Sequence, residues 1–146
     1  MQTIPVLITI HSSAHRDELS EDESISMLTS GVMELEEDRA VIRYEETLDE
    51  SLPAQQVTLT VEDDAATMSR DGEYAADMVF RLGCRYEGSY HTPFGDMRLA
   101  VYCTKMRYEL DADGGEIHLS YQLDLNGAFA AVHDMELRLI RQGDDD

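Results

Sequence analysis

Apolar and polar residues alternate along most of the chain, which is the pattern of β-strands that bury one face. Ile4, Val6, Ile8 and Ile10 establish this period at the start of the sequence. It predicts nine or ten consecutive strands, whereas only the acidic stretch from Glu18 to Met27 favours as much as one helical turn. The predicted strands cover residues 4–10, 25–35, 40–46, 57–62, 66–70, 74–81, 86–92, 97–110, 117–125 and 129–139.

Turn signals and changes of parity mark where the predicted strands end or bend. Asn126-Gly127 is the strongest hairpin signal in the chain. The inward parity passes from Cys103 to Met106, which predicts a β-bulge near Thr104-Lys105. A glycine at position 31, inside a long strand, predicts a second bulge or a sharp coil.

Consecutive strands joined by short turns form an antiparallel meander, and such a sheet must deal with two unpaired edges. Several predicted strands exceed the usual length of about 5–6 residues, and long coiled strands with bulges are typical of closed barrels. We therefore predict an all-β fold, a single antiparallel up-and-down barrel of about 8–10 strands. One domain is expected over residues 1–143, followed by an acidic tail at 144–146.

The composition excludes several classes of function. The 146 residues include 31 acidic and 11 basic side chains, and the formal net charge is −20. Such a surface repels phosphate backbones and anionic lipid, so we expect neither nucleic-acid nor membrane partners. The apolar start lacks the basic flank of a signal peptide, and no run of about 18 apolar residues occurs. The expected compartment is therefore the cytoplasm, and both cysteines should be reduced.

Several short segments together resemble the YwiB-like family of small bacterial proteins of unknown function. They occur in the family's order over roughly residues 3–141, and two departures are the acidic 17–23 loop and Asp71. The resemblance implies a calycin-type β-barrel like that of the lipocalins, and it implies no reaction. The segments are Ile42-Arg43-Tyr44-Glu45-Glu46, Met68-Ser69-Arg70-Asp71-Gly72, Arg81-Leu82-Gly83, Tyr90-His91-Thr92-Pro93-Phe94-Gly95, Thr104, Ile117 to Leu125, and Asn126-Gly127.

Known catalytic and cofactor motifs are missing from the sequence. There is no Gly-x-Ser-x-Gly elbow and no glycine-rich phosphate loop. The five histidines are scattered, and we predict no metal site, no cofactor and no catalytic residues. His133 differs from the other four because it shares the apolar parity of Met135 and Leu137. A satisfied interior histidine is the simpler interpretation of that position.

A polar set remains as a candidate ligand site at one mouth of the barrel. Arginine within a strand is costly unless it is paired or solvated, and either Arg43 or Arg70 could pair with Glu45. These groups would anchor a small hydrophobic or anionic ligand. The alternative interpretation is an outward cross-strand ion pair and a purely structural Thr-Pro-Phe-Gly turn. The candidate ligand-binding residues are Arg43, Glu45, Arg70, Tyr90, Thr92, Thr104, Tyr121 and His133.

The leading hypothesis is a non-enzymatic barrel that binds a small molecule, as a monomer or a homodimer. A second hypothesis is a docking module whose acidic segments 17–23, 34–38 and 45–50 form one face for a basic partner. A third is an enzyme that uses the polar set at the barrel mouth. The sequence favours the first because a closed barrel with an alternating interior is suited to enclosing a ligand.

Overall fold

The fold is described here from a computed structural model, which covers residues 2–15, 23–47, 54–72 and 74–143. The predicted acidic loop up to residue 22, most of the loop after Thr47 and the acidic tail lie outside these residues. The part of the possible helical turn that is described, residues 23–27, is strand. Ten strands are present: β1 Gln2–His15, β2 Glu23–Leu35, β3 Arg39–Glu46, β4 Gln55–Glu62, β5 Ala65–Asp71, β6 Ala75–Arg81, β7 Arg85–Thr92, β8 Gly95–Asp111, β9 Gly114–Leu125 and β10 Ala128–Arg141.

The strands form one closed antiparallel barrel in which sequence neighbours are also neighbours in space. The order is β1-β10-β9-β8-β7-β6-β5-β4-β3-β2, and pairing between β1 and β10 closes the ring. That pairing runs from Val6 opposite Arg141 to His15 opposite Val132. The prediction of an all-β, up-and-down, calycin-like barrel is therefore confirmed.

The strand register confirms one predicted irregularity and corrects another. Pairing between β8 and β9 shifts between Cys103 and Lys105, which keeps the apolar face of β8 inward along its whole length. Of the two alternatives predicted at Gly31, a bulge or a sharp coil, the bulge is wrong, since the register runs through Gly31 without a shift. A side chain there would collide with the Arg43 carbonyl oxygen and approach Ile8 Cδ1 to 2.9 Å. Close contact with neighbouring atoms, and not a bulge, therefore requires this glycine.

Two halves of the barrel interior differ in how they are filled. We call the packed half the end that carries the β2–β3, β4–β5, β6–β7 and β8–β9 turns. Most of its inward side chains are buried, and Ile42, Leu59 and Phe80 have no exposed surface. We call the hollow half the opposite end, which carries the β5–β6, β7–β8 and β9–β10 turns. There the inward residues include small, polar and aromatic side chains, and a cavity lies between them.

The strand pairings around the barrel, which we call joints, differ in length. Strands β1 and β2 pair continuously from Gln2–Leu35 to Ala14–Glu23. Strands β6 and β7 pair only through Ala75–His91 and Ala76–Tyr90. Beyond that point the turn after β6 bonds to β8 instead, because the Gly83 N–H donates to the Cys103 carbonyl oxygen at 2.9 Å. The β6–β7 joint is therefore the shortest region of strand pairing among the described residues.

The two cysteines are free thiols in different environments. Cys84 is exposed, Cys103 is buried, and neither forms a disulfide. Among the described residues no helix is long and apolar enough to cross a membrane.

Candidate functional site

A cavity of about 350 Å³ occupies the hollow half of the barrel. This volume lies at the lower end of the range of roughly 300–1,000 Å³ that is usual for small-molecule sites. Most of its wall is apolar, and a few polar side chains converge at one part of it. The lining residues are Ile10, Ser12, Ile25, Met27, Tyr44, Glu46, Thr47, Arg70, Ala76, Met78, Tyr90, Leu99, Tyr121, Leu123, His133 and Met135.

Strand alternation explains why polar groups enter this interior. Side chains of a strand leave alternate faces, so Tyr44 and Glu46 follow Ile42 on the inward face of β3. Arg70 follows Met68 on the inward face of β5 in the same way. The packed half of each strand thus carries the aliphatic residues, and the hollow half carries the polar ones.

Arg70 and Glu46 form a bidentate ion pair inside the barrel. Arg70 Nε donates to Glu46 Oε1 at 2.9 Å, and Arg70 Nη2 donates to Oε2 at 3.4 Å. Their side chains are only 20% and 13% exposed. Burial disfavours the charge on Arg70, but the adjacent Glu46 carboxylate outweighs that cost and raises the pKa of Arg70. Arg70 is therefore charged, and two hydrogen bonds hold it against Glu46.

Two buried tyrosines present their hydroxyl groups beside this ion pair. Tyr44 and Tyr121 are each 4% exposed. Burial raises the pKa of both phenols, and the nearby positive charge of Arg70 acts in the opposite direction. Among the described residues no hydrogen bond joins either hydroxyl to another group, yet neither oxygen is closed off from the cavity. Each phenol is therefore a neutral donor that faces open space.

His133 completes the polar part of the wall. Its ring stacks on Tyr121 with the two centroids 5.1 Å apart and the planes 7° from parallel. Burial lowers the pKa of His133, and the positive charge of Arg70 lowers it further. The imidazole is therefore neutral at neutral pH, which agrees with the prediction of an interior histidine.

Half of the sequence-predicted site residues line the cavity. These four are Arg70, Tyr90, Tyr121 and His133. The other four, which are Arg43, Glu45, Thr92 and Thr104, lie elsewhere.

The predicted pairing of an arginine with Glu45 is wrong. Arg43 and Glu45 share a face of β3, as their spacing requires, but it is the outer face. Arg43 forms an ion pair there with Glu34 of the neighbouring strand. Glu45 Oε1 instead accepts a hydrogen bond from Gln56 Nε2 at 2.9 Å. The alternative interpretation of an outward cross-strand ion pair describes Arg43 correctly.

The two threonines have structural hydrogen bonds. Thr92 Oγ1 donates to the Gly95 carbonyl oxygen at 2.7 Å and accepts from the Phe94 N–H at 3.1 Å, which holds the β7–β8 turn. Thr104 is exposed at the β8 bulge, and its hydroxyl donates to the Ser120 carbonyl oxygen at 3.2 Å. These bonds stabilise the turn and the bulge, at a distance from the cavity wall.

Sequence reasoning missed Tyr44 and Glu46, although the signal for them was present. Ile42 lies on the buried parity of β3, and the same parity continues through residues 44 and 46. Arg43 and Glu45 were predicted as site residues because they could form an ion pair. The parity of β3 places both side chains on its outer face, and the prediction did not take this into account.

A cluster on the outer face of β9 and β10 offers atoms that could hold a cation. Ligand atoms of Glu116, His118 and Glu136 lie within 4.8 Å of one another. Arg138 Nε is 2.8 Å from Glu136 Oε1 and 3.6 Å from Glu116 Oε1. The guanidinium already balances these carboxylates, so the cluster forms a surface ion-pair network.

The acidic segments that were expected to form one docking face do not lie together where they are described. Residues 34–38 lie at the packed end, around the β2–β3 turn, whereas residues 45–47 lie at the hollow end where β3 finishes. Glu23, where β2 begins, lies at the hollow end as well, and residues 17–22 and 48–50 are outside the described residues.

Comparison with known proteins places this barrel in a family. The crystal structure of the ywiB protein from Bacillus subtilis matches with a TM-score of 0.85 and 20% sequence identity, covering 98% of this chain and 95% of that one. This likeness shows the fold. No curated protein matches the chain. The family described as "Domain of unknown function (DUF1934)" matches residues 8–139. The chain therefore belongs to the DUF1934 family, and the YwiB-like resemblance found in its sequence is confirmed.

Proposed function

We propose that this protein binds a small amphipathic molecule inside the hollow half of its barrel and does not act on it chemically. The observation that carries the proposal is the cavity of about 350 Å³, whose largely apolar wall also holds the side chains of Tyr44 and Tyr121. A tyrosine hydroxyl both donates and accepts hydrogen bonds. A ligand in the cavity would bond to these hydroxyls while its apolar part contacts the rest of the wall.

The rest of the cavity wall supports the same conclusion. Apolar side chains such as Met27, Leu123 and Met135 surround the polar groups. Sites for small molecules combine a largely apolar lining with a few convergent polar groups. Methionine side chains adapt to different ligand shapes, because they are unbranched and polarisable.

A catalytic role has weaker support from these residues. The Arg70 guanidinium and the Glu46 carboxylate neutralise each other, and His133 stacks on a tyrosine without a hydrogen bond to a carboxylate among the described residues. General acid–base catalysis depends on a group poised to move a proton to a substrate. We therefore propose binding in preference to chemistry.

Native mass spectrometry of the purified protein tests the proposal. We expect an adduct above the 16.5 kDa chain mass that denaturation releases, or saturable binding of the neutral fluorophore N-phenylnaphthylamine to the emptied protein. The variant Ala76→Leu fills part of the cavity and should abolish both signals. Ala75→Leu, whose side chain leaves the opposite face of β6, is the matched control and should bind normally. Absence of any adduct together with absence of fluorophore binding would contradict the proposal.

A further inference from the structure

The charges on the described residues that line the cavity sum to zero. Among the described lining residues Arg70 and Glu46 are the two that carry charge, one positive and one negative. They bond to each other through two atoms on each side. Arg70 is thus the partner of a carboxylate that the protein itself supplies, and its positive charge is not left for a ligand to neutralise.

Hydrogen-bond donors nevertheless remain in excess at this part of the wall. A guanidinium has five N–H groups, and the Glu46 carboxylate engages two of those on Arg70. The neutral hydroxyl groups of Tyr44 and Tyr121 add two more donors at the cavity wall, and no hydrogen bond joins either of them to another described residue. The site is therefore neutral in net charge and rich in donors, a combination that fits an uncharged oxygen acceptor.

We propose that the ligand is an uncharged amphiphile with a carbonyl-type oxygen at one end, and that the cavity discriminates against the corresponding carboxylate. This inference rests on the proposed binding function and specifies its ligand class. The carbonyl oxygen accepts hydrogen bonds from the tyrosine hydroxyls and from free N–H groups of Arg70. The aliphatic end packs among Ile25, Met27 and Leu123.

A carboxylate fits this cavity poorly for two reasons. Moving an ionised group out of water is costly unless an opposite charge is available for it, and Glu46 already occupies Arg70. A second carboxylate beside Glu46 would also experience like-charge repulsion. The net charge of −20 on the whole chain adds a long-range repulsion of anions that salt can screen.

Three isosteric or nearly isosteric probes separate the headgroup from the tail: decanamide, decanoic acid and decane. Each is titrated at pH 7.5 against protein loaded with N-phenylnaphthylamine, and displacement is measured. We expect decanamide to bind more tightly than decanoic acid by about tenfold, the affinity ratio that corresponds to roughly 1.4 kcal/mol. Decane, which has no acceptor, should bind more weakly than decanamide.

The variant Glu46→Gln tests the physical cause of the discrimination. It keeps the shape of the side chain but frees the positive charge of Arg70, so decanoic acid should gain about tenfold and bind as tightly as decanamide. Glu45→Gln is the matched control, because it removes the same charge one residue away on the outer face. Its ratio of decanamide to decanoic acid affinity should equal that of the unmodified protein.

A pH series on the unmodified protein tests the same discrimination against the carboxylate without a variant. Because the uncharged acid is the form that fits the cavity, the apparent Kd of decanoic acid should fall, by up to about tenfold, as the pH is lowered from 7.5 towards the pKa of a free carboxyl, near 4.3. Decanamide has no group that titrates in this range, so its titration corrects for changes in the protein. The titratable and charged groups that face the ligand headgroup are Tyr44 and Glu46 from β3, Arg70 from β5, Tyr90 from β7, Tyr121 from β9 and His133 from β10.

The outcomes of these experiments test the ligand class separately from the proposed binding function. Decanoic acid that binds at pH 7.5 as tightly as decanamide would overturn the inference and leave ligand binding intact. An unchanged preference in Glu46→Gln together with a flat pH series would overturn it equally. Failure of the protein to bind the fluorophore and all three probes would remove the proposed function itself.

Discussion

The two halves of the barrel share the same ten strands and the same alternation, but their interiors differ. In the packed half the inward side chains meet and exclude solvent, as Ile42, Leu59 and Phe80 show with no exposed surface. In the hollow half a volume of about 350 Å³ stays open. At about 24 cal/mol per Å³, an empty cavity of that size would cost on the order of 8 kcal/mol. A domain is stable by only about 5–15 kcal/mol, so the comparison indicates a cavity built to be filled by water or a ligand.

The sharpest way to test this contrast uses two methionines on the inward face of one strand. Met33 is fully buried in the packed half, whereas Met27 lines the cavity. Met33→Ala should lower the free energy of unfolding by about 2–5 kcal/mol, because it creates a void in a filled core. Met27→Ala should cost about 1 kcal/mol or less, since its neighbour is already open space. Urea denaturation measures both, and equal losses would show that the two halves do not differ.

Two arginine–glutamate pairs give the next largest difference. Arg70→Met leaves Glu46 without its partner inside the barrel and should cost about 2–3 kcal/mol, slightly less than for a fully buried pair. Arg43→Met breaks the outer pair with Glu34, in which Arg43 is 48% exposed, and should cost under about 1 kcal/mol. The double variant Arg70→Met/Glu46→Gln should cost less than the sum of its single variants, and simple additivity would contradict direct coupling.

Two alanines test the same contrast in the opposite direction, by adding volume. Ala66 is buried between filled positions, and Ala76 borders the cavity. Ala66→Leu should destabilise the protein by about 1–3 kcal/mol, because a packed core has no room for three more carbon atoms. Ala76→Leu should change the stability by less than about 1 kcal/mol, since the cavity accepts the added atoms. Thermal unfolding of both variants checks this prediction, and a large loss in Ala76→Leu would contradict it.

The smallest effect concerns the pH dependence that His133 contributes. The pKa of His133 is lowered in the folded protein. Below pH 6.5 this histidine therefore binds a proton more readily in the unfolded chain than in the folded protein. Stability from this residue is therefore present at higher pH and declines as the pH falls through that range. An NMR titration should place the midpoint of His133 below 6.5. His133→Gln should also reduce the loss of stability between pH 7.5 and 5.5, and a midpoint at or above 6.5 would contradict the assignment.

Strand alternation was enough to predict the fold, because a closed barrel constrains every residue to one of two faces. The bulge at Cys103–Lys105 was visible as a change of parity. Gly31 was misread because a glycine within a strand can mark either a bulge or a close approach. Only the neighbouring Arg43 backbone and Ile8 side chain decide between these two.

The site was only partly predictable, because sequence reports which way a side chain points and not how much space lies in front of it. Arg70, Tyr121 and His133 could be named from their inward parity. The parity of β3 also distinguishes the inward Glu46 from the outward Glu45, but parity alone does not show that Glu46 reaches Arg70. The tilt and stagger of the strands place Glu46 beside Arg70 at 2.9 Å, and no local pattern encodes that distance.

The short pairing between β6 and β7 has a consequence for the dynamics of the barrel wall next to the cavity. These strands pair only through Ala75–His91 and Ala76–Tyr90. Ala76 and Tyr90 also line the cavity. Separating these strands disrupts few main-chain bonds, so we expect this pairing to open more readily than the long pairing between β1 and β2. Amide protons along it should therefore exchange with solvent sooner than those of β1 and β2.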